Sequence, residues 1–211
     1  MSRAPFITVE GGEGAGKSTQ VRLLAEALQA RGLKVLATRE PGGAPGAEAI
    51  RTLLLHGPDH DWAPMTEALL HTAARAEHVA RTIEPALSAG TWVISDRFAD
   101  STVAYQGFGM GLGADAVRAL TRLVLGGLAP DLTFILDLPA EAGMERAGAR
   151  GTADRYERME AGFHERLREG FLAIAAAEPG RCVVVDARDP PEAVHARLMS
   201  EVLRRWAMDP A

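Results

Sequence analysis

The sequence predicts an α/β fold, an open five-stranded parallel sheet with helices on both faces and a short lid. Two observations predict it. Short apolar runs alternate with amphipathic stretches of about ten residues or more, the signature of βαβ units. The first apolar run also opens straight into a glycine loop that leads into a helical pattern. A chain of 211 residues, 47% hydrophobic and 24% charged, has the material for one sizeable core. A single domain over residues 1–211 is therefore expected, and disorder, collagen and coiled coil are excluded as the main state.

The elements follow in order. Phe6–Glu10 reads as a buried strand. Lys17–Arg31 places Val21, Leu24, Ala25 and Leu28 at helical spacing, and Gly32 stands where a helix terminates. Leu33–Thr38 is a second strand. Gly46–Leu55 and Met65–Leu87 read as helices, the second with Pro64 near its first turn. Thr91–Ser95 is a third strand, followed by short helical patterns over Asp100–Tyr105 and Asp115–Leu125. Thr133–Leu138 and Arg181–Asp186 are strands four and five, separated by a charged helical stretch, and Pro191–Met208 closes as a helix. Between residues 146 and 158, Gly148 and Gly151 are mixed with several arginines, which predicts a mobile lid rather than a second domain.

Composition narrows the function classes. Lys+Arg at 23 against Asp+Glu at 28 gives a net charge of −5, whereas a nucleic-acid binder carries a basic excess. No apolar run approaches the ~20 residues of a membrane span. Met1–Pro5 lacks the apolar region of a signal peptide, and the single Cys182 can form no internal disulfide. A cytoplasmic protein without nucleic-acid or membrane partners is expected. No Cys/His spacing resembles a zinc site.

Gly11-Gly12-Glu13-Gly14-Ala15-Gly16-Lys17-Ser18 matches G-x-x-x-x-G-K-[ST] between a strand and a helix, the form of a P-loop NTPase-type three-layer sandwich. Glycines let backbone N–H groups turn inward, and the helix N-terminus adds partial positive charge, so both favour phosphate. Lys17 can reach the β- and γ-phosphates and Ser18 offers a hydroxyl to Mg²⁺. The bland alternative is a glycine-rich turn, but the full pattern predicts a nucleoside triphosphate, ATP first. The chain contains no Asn, so the Asn-Lys-x-Asp motif of a GTPase switch is excluded.

Two further loops follow strand ends, where ligands of such sheets bind: Thr38-Arg39-Glu40-Pro41-Gly42-Gly43 and Ser95-Asp96-Arg97-Phe98. Each alone reads as an ion pair on an ordinary turn. Beside the glycine loop, the two carboxylate–arginine pairs look like Mg²⁺ placement plus a clamp on anionic phosphate.

Three segments together, Glu10–Thr19, Thr38–Gly43 and Asp96–Gly107, resemble the bacterial type of thymidylate kinase, and the likeness runs from Phe6 to about Val202. The resemblance implies transfer of the γ-phosphate of ATP to dTMP with Mg²⁺ by a homodimer, for which the long Met65–Leu87 helix is a candidate contributor, although helical spacing alone does not tell an interface from a core face. It assigns Gly11 through Thr19 to the nucleotide, with Glu13 also holding the sugar 3′-hydroxyl of dTMP. Arg97 matches the arginine on the acceptor phosphate, Asp96 its partner near the metal, and Arg75 a base-reading arginine. Glu40, Pro41, Arg51 and Ser101 fall on the acceptor side. Thr102 and Gln106 face the thymine edge, and Tyr105 crowds the ribose 2′ position. Independently of the family, Thr102 and Gln106, like Ser101 and Tyr105, are spaced i, i+4 and can share one helix face. One position departs: His71 stands where the family usually places a phenylalanine to stack on thymine. An imidazole buries less area and can titrate. His56, His60, His78, His164 and His195 read as surface or core fillers.

A phosphate monoester has a second pKa near ~6, so the acceptor needs no catalytic base at neutral pH. The variable positions of the glycine loop hold no arginine, and the resemblance implies that the lid supplies it. Arg150 and Arg155 are expected near the transferred phosphoryl group and Arg146 nearer the adenine, whereas Arg158, Glu165, Arg166 and Glu169 read as a solvated helix face. Two alternatives stand beside this reading. A deoxynucleoside kinase would use Glu40 as general base, and a non-catalytic ATP-binding switch would turn over slowly with any acceptor.

Overall fold

A computed structural model describes residues 3–55, 62–149 and 155–209. Five parallel strands, β1 (Phe6–Gly11), β2 (Val35–Arg39), β3 (Trp92–Asp96), β4 (Leu132–Asp137) and β5 (Cys182–Asp186), form one sheet in the order β2-β3-β1-β4-β5. β1 lies at the centre with every residue buried, as its unbroken apolar run requires of a strand covered on both faces. Register aligns Arg39 with Asp96, Val9 with Asp96 and Gly11 with Leu136, which brings three strand ends to one edge. The strand order reverses about β1 there, which is where open α/β sheets bind ligands.

The helices cover both faces. On one, Leu24 and Leu28 of α1 (Lys17–Ala30) and Leu198 and Val202 of α9 (Pro191–Arg205) pack on Ile7, Ile94 and Phe134. On the other, Phe163, Leu167 and Phe171 of α8 (Ala161–Ala177) pack on Ile135 and Tyr105. The remaining helices are α2 (Pro45–Leu55), α3 (Pro64–His78), α4 (Glu84–Ser88), α5 (Ala99–Thr102), α6 (Ala114–Leu125) and α7 (Ala140–Gly148).

The expected fold class is the observed one, with local differences that have physical causes. α1 ends in a Schellman motif: Gly32 N–H donates to Gln29 O and Leu33 N–H to Leu28 O. That engages Leu33, so β2 starts at Val35 and not at Leu33. The expected Met65–Leu87 helix is α3 and α4 joined by a π-helical turn over Val79–Ile83. Pro85 has no N–H, and its ring would press on the carbonyl of Arg81; the wide turn removes that conflict. Likewise Asp100–Tyr105 is α5 followed by a π-helical stretch over Val103–Gly109. The charged stretch before β5 holds α7 and α8. Of the expected lid, Arg146 lies on α7 and residues 155–158 form a turn, while 150–154 lie outside the described residues.

Candidate active site

The glycine loop runs from the end of β1 to Lys17. Gly16 caps α1 with φ 88°, a left-handed conformation that glycine adopts without strain. No side chain among the described residues caps that helix, so its first N–H groups stay available to an anion. Gly14 packs so tightly on α7 that a Cβ there would lie 2.1 Å from Gly143 O. Lys17 Nζ donates to Gly12 O at 2.6 Å. Burial, reinforced by Arg97, lowers the Lys17 pKa to about 8. Ser18 Oγ donates to Asp96 Oδ2 at 2.5 Å.

Arg97 follows Asp96 with φ 68°, in a region that non-glycine residues seldom enter and that clusters at functional sites. Two residues of β1 and its loop hold it. Glu10, fully buried, accepts from the Phe98 N–H at 2.7 Å and from Ser101 Oγ at 2.6 Å, and so fixes the backbone after Arg97. Glu13 Oε1 accepts from Arg97 Nη2 at 2.9 Å and from the Tyr105 hydroxyl. The guanidinium also donates to Gly11 O at 3.1 Å and Ser101 Oγ at 3.2 Å and lies over the Tyr105 ring. Despite burial, Tyr105 and Glu13 raise its pKa, so it is a permanent cation.

Away from the glycine loop, Arg75 is clamped from three sides. Its Nε donates to Glu40 Oε2 at 2.7 Å, and Nη2 donates to Phe98 O and Thr102 Oγ1, both at 2.9 Å. His78, fully buried, bridges Glu40 and Thr38 at 3.0 and 2.8 Å. His71 Nε2 lies 2.7 Å from the Tyr156 hydroxyl, which donates to Glu67 at 2.8 Å. Tyr156 must therefore accept from His71, which fixes the Nε2–H tautomer. Burial, with Arg75 and Arg97 nearby, drives the His71 pKa down to about 3, so the charge that its identity allows is suppressed near neutral pH.

One cavity of about 370 Å³ joins these parts. Glu13, Gly14, Gly16, Lys17, Ser18 and Thr19 line one end. Glu40, Pro41, Arg51, His71 and Arg75 line the other, with Ser101, Thr102, Tyr105 and Gln106. Asp96 and Arg97 lie in its wall as well. Gly11, Gly12 and Ala15 shape the loop without lining this cavity. Arg51 Nη1 donates to Pro41 O at 2.7 Å. Arg146 reaches the wall from α7 and donates to the carbonyls of Ala187 and Arg188, beyond β5.

The lid arginines divide. Arg155, expected near the transferred phosphoryl group, pairs with Glu67 and lies over the Tyr156 ring, and it is not among the residues lining the cavity. Arg150 lies outside the described residues, as do His56 and His60. His78 is a core histidine as read, but one that orders Glu40. Sequence reasoning missed Glu10, Glu67 and Tyr156. Glu67 precedes His71 by one helical turn and Arg75 by two, and that shared face of α3 was the available signal.

The arrangement can hold a polyphosphate at one end and a planar polar group at the other, with Arg97 between them. A family model of thymidylate kinase matches residues 9–198. The chain is 56% identical over 208 residues to "Thymidylate kinase" of Caulobacter vibrioides, covering 99% of this chain and 100% of that one. It is 50% identical to "Thymidylate kinase" of Bradyrhizobium diazoefficiens, covering 99% and 93%. A crystal structure of thymidylate kinase from Ehrlichia chaffeensis superposes with a TM-score of 0.77 at 36% identity, covering 95% of this chain and 99% of that one. The chain belongs to the thymidylate kinase family of enzymes.

Proposed function

We infer that this chain transfers the γ-phosphoryl group of ATP to dTMP, giving dTDP and ADP. The observation that carries the reading is the continuous cavity that joins the glycine loop to Arg75 and Gln106, in a chain of this family. Lys17 and the loop N–H groups hold the ATP phosphates, and Arg146 borders the adenine. Arg97 receives the acceptor phosphate, aligned by Glu10 and Glu13. Glu13 also takes the sugar 3′-hydroxyl, Tyr105 bounds the ribose, and Arg75, Thr102 and Gln106 meet the base, with His71 against its face. Arg150 remains the lid arginine for the transferred phosphoryl group.

Ser18 and Asp96 bring two hard oxygen donors together at the cavity wall, a fit for Mg²⁺. When bound, the ion would neutralise phosphate charge. The chain's own contribution is alignment and fixed positive charge, since the acceptor phosphate is already an anion at neutral pH. Glu40 is occupied by Arg75 and His78, which leaves it poorly placed to act as a base toward an alcohol.

The homodimer rests on α3 and α6, which pack side by side and expose Met65, Leu69 and Leu123, the last at 83%. Sedimentation of Leu69→Asp and Leu123→Asp should show monomers. The reaction itself is tested by ADP release with ATP and, separately, dTMP, dUMP, dCMP, dGMP, dAMP and thymidine. A strong rate with dTMP and near-background rates with dCMP and the purines are expected. Preference for thymidine would return Glu40 to the role of base, and silence with ATP bound would favour the non-catalytic switch.

A further inference from the structure

Two residues that line the cavity each carry a buried side-chain atom with no hydrogen-bond partner among the described residues: Arg75 Nη1, a donor, and Gln106 Oε1, an acceptor. The two residues are 2% and 1% exposed. Leaving such groups unpaired is unfavourable, so a ligand that satisfies both is favoured twice. A pyrimidine with a 4-oxo group and an N3–H offers the matching acceptor and donor. A 4-aminopyrimidine offers the reverse pattern and satisfies neither.

The identity of the acceptor depends on which way the Gln106 amide points, and Glu67 decides that. Glu67 is fully buried in the first turn of α3. Its Oε1 accepts from Gln106 Nε2 at 2.7 Å and from the Tyr156 hydroxyl at 2.8 Å, while Oε2 is paired with Arg155. A carboxylate held by a guanidinium only accepts. Reversing the amide would set its oxygen against that carboxylate and turn an NH₂ toward the base.

We propose that Glu67 is the positioning residue that locks the Gln106 amide with its nitrogen on the carboxylate and its oxygen turned away from it, and thereby selects 4-oxo, N3–H pyrimidine monophosphates over 4-amino ones. The proposal rests on Gln106 meeting the base edge, as in the function inferred above.

The test is the ratio of kcat/KM for dTMP to that for dCMP. Glu67→Gln can donate as well as accept, so it releases the amide. The ratio should fall at least about 10-fold, through a higher KM for dTMP and a lower one for dCMP, with kcat on dTMP nearly unchanged. Glu67→Met, similar in length and apolar, should lower the ratio in the same way and serves if the Gln variant does not fold. Glu67→Asp, still acceptor-only, should restore most of the ratio. Tyr156→Phe removes a second donor from the same oxygen without freeing the amide and should leave the ratio intact. Parallel losses on both substrates at constant ratio in Glu67→Gln and Glu67→Met would overturn the proposal. Gln106→Leu separates the two levels: a lost ratio there with an intact one in the Glu67 variants rejects only the role of Glu67. An intact ratio in Gln106→Leu rejects the base-edge assignment itself.

Discussion

Arg75 and Glu40 form an ion pair inside the protein, Nε to Oε2 at 2.7 Å, with side chains only 2% and 4% exposed. The pair joins α3 to the loop after β2, and His78 closes it from the same helix. Removing one partner of such a pair leaves an uncompensated buried charge. Glu40→Ala should therefore destabilise the fold by about 3–5 kcal/mol, read by urea unfolding, and should raise the KM for dTMP because Arg75 loses its anchor. A loss below about 1 kcal/mol would show the pair to be solvated in solution.

Lys17 should impose an alkaline limit on ATP use. Its ammonium is the form that attracts phosphate, and burial brings its pKa to about 8. In the free enzyme, kcat/KM for ATP should therefore fall as pH rises through about 8. Lys17→Arg, charged throughout the range, should be less active yet show no such limb. An unchanged limb in that variant would assign it to another group.

How much of this site was legible beforehand depends on how local each relationship is. Lys17, Ser18, Asp96 and Arg97 sit in short motifs whose residue order is itself the signal, so they were legible although Ser18 meets Asp96 and Arg97 meets Glu13 across 78 and 84 residues. The sheet was legible for a similar reason, because each strand is a single apolar run. The contact of Arg155 with Glu67, 88 residues away, was not legible, because no motif joins those two residues. The π-helical turns before Pro85 and after Thr102 were also invisible, since a helical apolar pattern survives one widened turn.

His71 should limit base stacking. In this fold it is a neutral imidazole tied to Tyr156, smaller than the phenylalanine usual at its position. His71→Phe should lower the KM for dTMP by ~2- to 10-fold, the value of an added aromatic contact of about 0.5–1.5 kcal/mol. Tyr156 keeps its bond to Glu67, so little is lost in exchange. The same variant should be less acid-sensitive. The His71 pKa falls from 6.5 to about 3 on folding, so the unfolded chain binds a proton that the fold excludes, and stability drains away as pH descends through that window. An unchanged KM would mean that the ring at this position does not contact the base.

Glu10 carries the opposite sign. Burial, with Asp100 beside it, raises its pKa from 4.5 to about 7. Within that window the folded protein retains a proton that the unfolded chain releases, so the Glu10 contribution to stability is complete below 4.5 and is lost as pH rises through about 7. Glu10→Gln cannot titrate, yet its amide can still accept from the Phe98 N–H and donate to Ser101. The stability of the wild type minus that of Glu10→Gln, measured by urea unfolding at successive pH values, should thus decline between 4.5 and 7. His71 acts in both proteins and cancels in the difference. A flat stability difference would show that Glu10 is ionised throughout and that Ser101 and Phe98 alone offset its burial.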